Sequence, residues 1–126
     1  MGTMKEFASQ AHNLLGLRLT RWQINALEQY ENELLQWNKK VNLTAIREPA
    51  QIRIKHFLDS FTCLIVLKDN PPEKIIDVGS GAGFPGLPLI IIYPNMAVTL
   101  VESISKKAIF CRHVIQRLGL EGIEVV

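Results

Sequence analysis

The run Asp77-Val78-Gly79-Ser80-Gly81-Ala82-Gly83-Phe84-Pro85-Gly86 holds the densest group of residues suited to ligand chemistry in this chain. Glycines in such a run let the backbone turn tightly and approach a ligand without an intervening Cβ. A helix opening behind them offers free N–H groups and the positive end of its dipole. Gly81, Gly83 and Gly86 satisfy the spacing G-x-G-x-x-G. Glu102 follows Gly81 by 21 residues, where a carboxylate can accept from both hydroxyls of a ribose.

Both nicotinamide or flavin dinucleotides and S-adenosylmethionine use an acid at that place, and two details separate them. Asp77 stands two residues before Gly79, where its carboxylate suits a cationic amino acid group and repels a pyrophosphate. Pro85 and Pro88 remove N–H donors from the first turn of the helix, which weakens it as a phosphate site. The residues therefore favour S-adenosylmethionine, with an NAD(P)- or FAD-dependent oxidoreductase as the alternative. A glycine-rich turn with no ligand is the weaker reading, because strand, loop, helix and distal acid occur together.

These residues need a scaffold, and the hydrophobic pattern supplies one. Lys74–Val78 reads as a strand, Gly86–Ile92 as a short helix and Val98–Glu102 as a second strand. Ser105 is placed to cap a helix running to Leu118 with Gly119 at C′, and Ile123–Val126 begins a third strand. The order β-α-β-α-β calls for a parallel sheet with helices on each side, and right-handed crossovers place the strands in the order 3-2-1. Ahead of it, from Lys5 to Leu67, the periodicity is helical. A first helix from Lys5 to about Leu15 closes at Gly16. Thr20 and Gln23 form a capping box before a stripe of Ile24, Leu27, Tyr30, Leu34, Trp37 and Val41. Pro49 suits the first turn of a further helix that buries Ile52, Phe57, Phe61, Leu64 and Ile65, and the polar loop Lys68–Glu73 ends it. Strand 1 would form a bare sheet edge, so the chain is expected to be the front part of a longer protein and to self-associate through that edge.

Other residues carry weaker signals. Lys39, Lys40, Arg47, Arg53 and Lys55 set five cations against the single acid Glu48, a candidate phosphate-contacting patch or equally a solvated face. His56 and Asp59, three apart on a helix, are expected within reach of each other, to line a cleft or to fix packing. His12 and His113 are expected at the surface, Trp22 and Trp37 in the core, Cys111 inert, and Lys106 and Lys107 in water. No metal-ligating cluster and no nucleophile–base set is visible, so no catalytic residue is assigned.

Asp77–Leu89 (DVGSGAGFPGLPL), Trp37–Ile46 (WNKKVNLTAI) and His56–Ser60 (HFLDS), in that order and spacing, resemble the bacterial ribosomal small-subunit methyltransferase G family, also called the glucose-inhibited division protein B family. The resemblance spans about Leu34 to Val126. It implies a Rossmann-like class I methyltransferase fold, α/β with a truncated parallel sheet, over residues 71–126, preceded by a helical N-terminal extension over residues 1–70. It also implies a cytoplasmic, monomeric whole protein that moves a methyl group from S-adenosylmethionine to N7 of a guanine in 16S ribosomal RNA, within the small ribosomal subunit or its precursor. S-adenosylhomocysteine would be the product. Gly79 and Phe84 are implied to contact the cofactor, with Glu102 and Ser103 along its ribose; Asp77, Ser80, Gly81 and Gly83 complete the expected set. Family members continue for roughly another half-chain, so this chain alone is expected to be inactive. A non-catalytic RNA- or ribosome-binding module is the third reading. Guanine N7 carries no proton, so its attack on a methyl group needs no general base, and alignment of the reactants can carry the catalysis.

Composition is permissive. The 126 residues are 48% hydrophobic and 21% charged, with a net charge of +2, enough to pack a core. The longest apolar runs fall far short of the ~20 residues that span a bilayer, so no membrane association is expected. Two cysteines without CxxC spacing fit a reducing setting.

Overall fold

In the computed structural model the described residues are 3–67 and 72–126. The N-terminal part is helical: α1 (Met4–Leu15), α2 (Arg21–Asn38) and α3 (Pro49–Ile52). A π-helical turn over Arg53–Leu58 joins α3 to α4 (Asp59–Leu67). The helix ends follow their side chains. Thr20 accepts from the Gln23 N–H at 3.1 Å while Gln23 Oε1 accepts from the Thr20 N–H at 2.8 Å, the reciprocal box read from the sequence. Gly16 closes α1 with φ 70°, a conformation that side chains disfavour.

The second part is β1 (Lys74–Val78), α5 (Gly86–Ile92), β2 (Ala97–Val101), α6 (Ser105–Leu118) and β3 (Ile123–Val125). β2 pairs in parallel with β1 on one side and β3 on the other. Because alternate side chains face opposite ways, Ile75, Asp77, Val98, Leu100, Ile123 and Val125 share one face. α5 packs on it, with Gly86 lying against Leu100, Val98 and Asp77. The opposite face does not have the helices that the apolar strands suggested. Ile76 and Val78 are 69% and 76% exposed, and no helix among the described residues covers them. Apolar residues on both faces of a strand record what the strand can bury, while coverage needs a second layer.

The N-terminal helices form a layer over α5 and α6 and share one core with them. Tyr30, Leu27 and Leu34 of α2, Phe57 of the π-helical turn and Phe61 of α4 are fully buried with Leu87, Leu100 and Phe110 of the α/β part. The side chains of Leu64 and Ile65, most of the Lys68–Glu73 loop and the boundary expected near residue 70 lie outside the described residues. Ser105 does not cap α6. Its N-cap is Ile104 with no side-chain bond, and the carboxylate of Glu102 accepts from the Ile104 N–H instead. Trp22, expected in the core, is half-exposed near the start of α2, away from the buried stripe. No helix among the described residues is long and apolar enough to cross a membrane.

Candidate functional site

β1 ends at Val78 and the chain turns at once through Gly79, Gly81 and Gly83, with φ of 73°, 60° and 105°. The three glycines serve two purposes. A Cβ at Gly83 would come within 2.3 Å of Leu87 Cδ1 and 2.7 Å of the Tyr30 hydroxyl, so this glycine lets the loop sit on the core. A Cβ at Gly79 or Gly81 would meet nothing within 4 Å. Their positive φ alone calls for glycine, and their outer side is open to a ligand. The N–H groups of Gly79 and Ser80 donate to the Val101 carbonyl at 2.7 and 3.4 Å, which ties the loop to the end of β2.

Two carboxylates hold this loop. Asp77 Oδ2 accepts from the Gly86 N–H at 3.0 Å, and no hydrogen bond among the described residues engages Oδ1. Burial raises its pKa above 3.8, the Gly86 hydrogen bond opposes that rise, and the charge of Glu102 adds to it. Glu102 bridges two segments: Oε1 accepts from the Gly81 N–H at 2.6 Å and Oε2 from the Ile104 N–H at 2.8 Å. Each oxygen keeps a further lone pair for another donor. Ser80 is buried with an unpartnered hydroxyl, whereas Ser103 is exposed.

The start of α5 discriminates between ligands. Its first N–H, on Gly86, is taken by Asp77. Leu87 donates to the Gly83 carbonyl at 2.8 Å, Pro88 has no N–H, and Leu89 donates to the Pro85 carbonyl at 3.1 Å. Helix N-termini bind phosphate through unsatisfied N–H groups, and here the donors are spent and a carboxylate stands in front of them. The site suits a ligand with a cationic end and ribose hydroxyls and disfavours a pyrophosphate.

Behind the loop is an aromatic stack. Phe84 lies nearly parallel to His56, with ring centres 4.2 Å apart, and to Tyr30, at 5.4 Å. The Tyr30 hydroxyl donates to the Ala82 carbonyl at 2.6 Å, and burial raises the phenol's pKa well above 10.0. The Cys111 thiol reaches the Gly81 carbonyl at 3.4 Å, and burial pushes its pKa up to about 12, consistent with an inert packing role. His56 bonds Thr44 Oγ1 through Nε2 at 3.1 Å and makes no hydrogen bond to Asp59 among the described residues. The π-helical turn ends at Leu58, so the spacing of an α-helical i,i+3 pair no longer applies. Burial lowers the His56 pKa from 6.5, and the charge of Asp59 opposes this. Tyr30 was legible as part of a helical stripe but not as a loop anchor. The available signal was that a fully buried tyrosine needs a partner for its hydroxyl.

The basic stretch divides. Lys39, Lys40 and Lys55 are exposed. Arg53 leaves the candidate patch: its Nε lies 2.7 Å from Glu31 Oε1 and its side chain is 13% exposed against 4% for Glu31, so its charge is neutralised inside the protein. Arg47 donates to the Asn38 carbonyl at 3.1 Å and to Asn42 Oδ1 at 2.7 Å. His113 is half-buried, against expectation, because Glu33 of α2 meets its Nε2 at 2.7 Å and Trp37 packs on its ring. Trp37 itself is half-buried against Phe110, and His12 is exposed. A cavity of about 580 Å³ lies between α1 and α2 and holds none of the glycine-loop residues.

Comparison with known proteins bears on the family. A family model described as rRNA small subunit methyltransferase G matches residues 23–126. Among curated relatives described as ribosomal RNA small subunit methyltransferase G, that of Roseiflexus castenholzii is 50% identical over 111 residues, covering 88% of this chain and 47% of the relative. That of Desulforamulus reducens is 46% identical over 114 residues, 90% of this chain and 48% of the relative. That of Pelotomaculum thermopropionicum is 42% identical over the whole chain and 53% of its own length. The chain thus spans about half the length of the curated relatives it matches. With matches that run from α2 through the glycine loop to the last strand, the chain belongs to the rRNA small subunit methyltransferase G family.

Proposed function

We propose that this chain provides the cofactor-binding front of an enzyme that transfers a methyl group from S-adenosylmethionine to N7 of a guanine in 16S ribosomal RNA. The observation that carries the cofactor assignment is the spent first turn of α5, with Asp77 bonded to Gly86 where a pyrophosphate would need free N–H groups. In this reading residues 1–70 form a helical extension and residues 71–126 the first half of the cofactor-binding domain. The whole protein is cytoplasmic and monomeric, and its substrate is the RNA of the small ribosomal subunit or its precursor.

The cofactor supplies, when bound, a methyl group on a positively charged sulfur. The chain's residues fit such a molecule. Asp77 offers its free Oδ1 to the cationic amino acid end, and the free lone pairs of Glu102 accept from ribose hydroxyls. Gly79 and Gly81 keep the loop's outer side bare, with Ser80, Gly83, Phe84 and Ser103 completing the binding segment. No general base is needed, because N7 carries no proton to remove. The protein's contribution is then to orient the two reactants and hold water away.

Calorimetric titration with S-adenosylhomocysteine, and with NAD in parallel, tests this assignment. Saturable binding of S-adenosylhomocysteine alone is the expected result, and NAD binding would replace the methyltransferase reading with an oxidoreductase. Among the described residues no strand pairs with the outer edge of β1, and this edge, beside the exposed Ile76 and Val78, supports self-association of this chain. A monodisperse monomer by light scattering at micromolar concentrations would refute that part.

A further inference from the structure

An open cavity of about 480 Å³ lies between the loop that follows α2 and the first turn of α6, lined by Asn42, Thr44, Arg47 and Lys107 among others. Its two charged residues are cations from segments 60 positions apart in the chain, and no carboxylate lines it. Arg47 is held by neutral partners, the Asn38 carbonyl and Asn42 Oδ1. These orient the guanidinium without cancelling its charge and leave three of its five N–H donors unused. Arg53, by contrast, spends its charge on Glu31. Asn42 gives its oxygen to Arg47, so its amide nitrogen remains as a further donor. The ammonium of Lys107 makes no hydrogen bond or ion pair among the described residues. We infer that this cavity seats one backbone phosphate of the RNA substrate, gripped by Arg47 and Lys107.

The position supports this role twice over. Thr44, on the cavity wall, bonds His56, which stacks on Phe84 of the glycine loop. Lys107 lies three residues beyond Ile104, whose N–H is held by the Glu102 carboxylate that also holds Gly81. The seat is therefore joined to the cofactor loop through both walls. A phosphate there would anchor an RNA strand beside the place where the methyl donor is held, so that its binding and the loop's geometry reinforce each other.

The inference rests on the RNA-substrate reading, and the test separates the two. The probe is a fluorescently labelled single-stranded RNA of about ten nucleotides, titrated with the full chain from about 50 to about 200 mM salt and followed by anisotropy. A single-strand phosphate contact contributes about 0.7 to the salt slope, so Lys107→Ala should lower the slope by about that much and weaken binding roughly five-fold near 0.1 M salt. Lys106→Ala removes the same charge one residue away, on an exposed side chain outside the cavity, and should change both far less. Lys107→Arg should restore the slope. Lys107 is the cleaner probe because Arg47 also holds the Asn38 carbonyl. Equal losses for Lys106→Ala and Lys107→Ala would overturn the seat while leaving RNA binding intact. No binding by the unaltered chain at the lowest salt would overturn the RNA reading and the seat together.

Discussion

Replacing Tyr30 with phenylalanine removes one oxygen atom and should loosen the cofactor loop from behind. The hydroxyl donates to the Ala82 carbonyl at 2.6 Å in a fully buried setting. The ring's contacts with Phe57, Phe84 and Phe110 do not depend on that oxygen, so Tyr30→Phe isolates the hydrogen bond. A buried acceptor left without its donor costs about 1–3 kcal/mol, and the middle of that range is about 2 kcal/mol. At roughly 2.1 cal/mol/K of unfolding entropy per residue, the 126 residues convert this into a fall in Tm of about 8 °C. Thermal and urea unfolding followed by circular dichroism would measure the change, and S-adenosylhomocysteine titration should show weaker binding. A loss below about 0.5 kcal/mol, less than a net hydrogen bond contributes, would refute the idea that the hydroxyl is what fastens the loop to α2.

Three further outcomes follow from the same geometry. Gly81→Ala should cost about 1–2 kcal/mol of stability for its left-handed backbone but abolish S-adenosylhomocysteine binding, because the new Cβ enters the open space before the loop; tight binding to a folded variant would contradict that placement. Arg53→Met should destabilise the chain by about 3–5 kcal/mol, since it strands Glu31 as an unpaired buried charge, and the salt slope of RNA binding should stay unchanged; a slope reduced by about 0.7 would return Arg53 to the phosphate-contacting group. Because burial lowers the His56 pKa from 6.5, the unfolded chain takes up its proton first as pH falls. His56 therefore costs stability progressively below pH 6.5 and nothing well above it. Thermal melts of His56→Gln should show a flatter dependence across this window, and an identical profile would assign the dependence to other groups.

The sequence made local features readable and left long-range pairings hidden. The capping box, the Gly16 and Gly119 helix ends and the glycine loop are each encoded within a few consecutive residues, and all appear as read. The spacing from Gly81 to Glu102 suggested an acceptor for ribose hydroxyls, and it did not reveal that the Glu102 carboxylate also accepts from the Gly81 N–H. The partners of Arg53 and His113 were unreadable because Glu31 and Glu33 lie 22 and 80 residues away, and a charge in a sequence does not name its counter-ion. His56 and Asp59 still feel each other's charge, but an inserted π-helical turn precedes Asp59 and the hydrogen bond of His56 goes to Thr44, a partner that spacing within the helix does not name. The open face of the sheet could not be foreseen because strand composition records what can be buried, not what is present to cover it.

The clasp between Tyr30 and Ala82 also bears on how such a protein could be altered by recombination. The glycine loop rests on a helix more than fifty positions earlier in the chain, and the rings of Phe57, Phe84 and Phe110 close around the same tyrosine. A crossover near residue 70 would leave β1, β2 and β3 intact yet pair the loop with a foreign floor. Exchange between relatives should therefore succeed only where α2 and the glycine loop travel together, and the unit of inheritance is wider than the segment that touches the ligand.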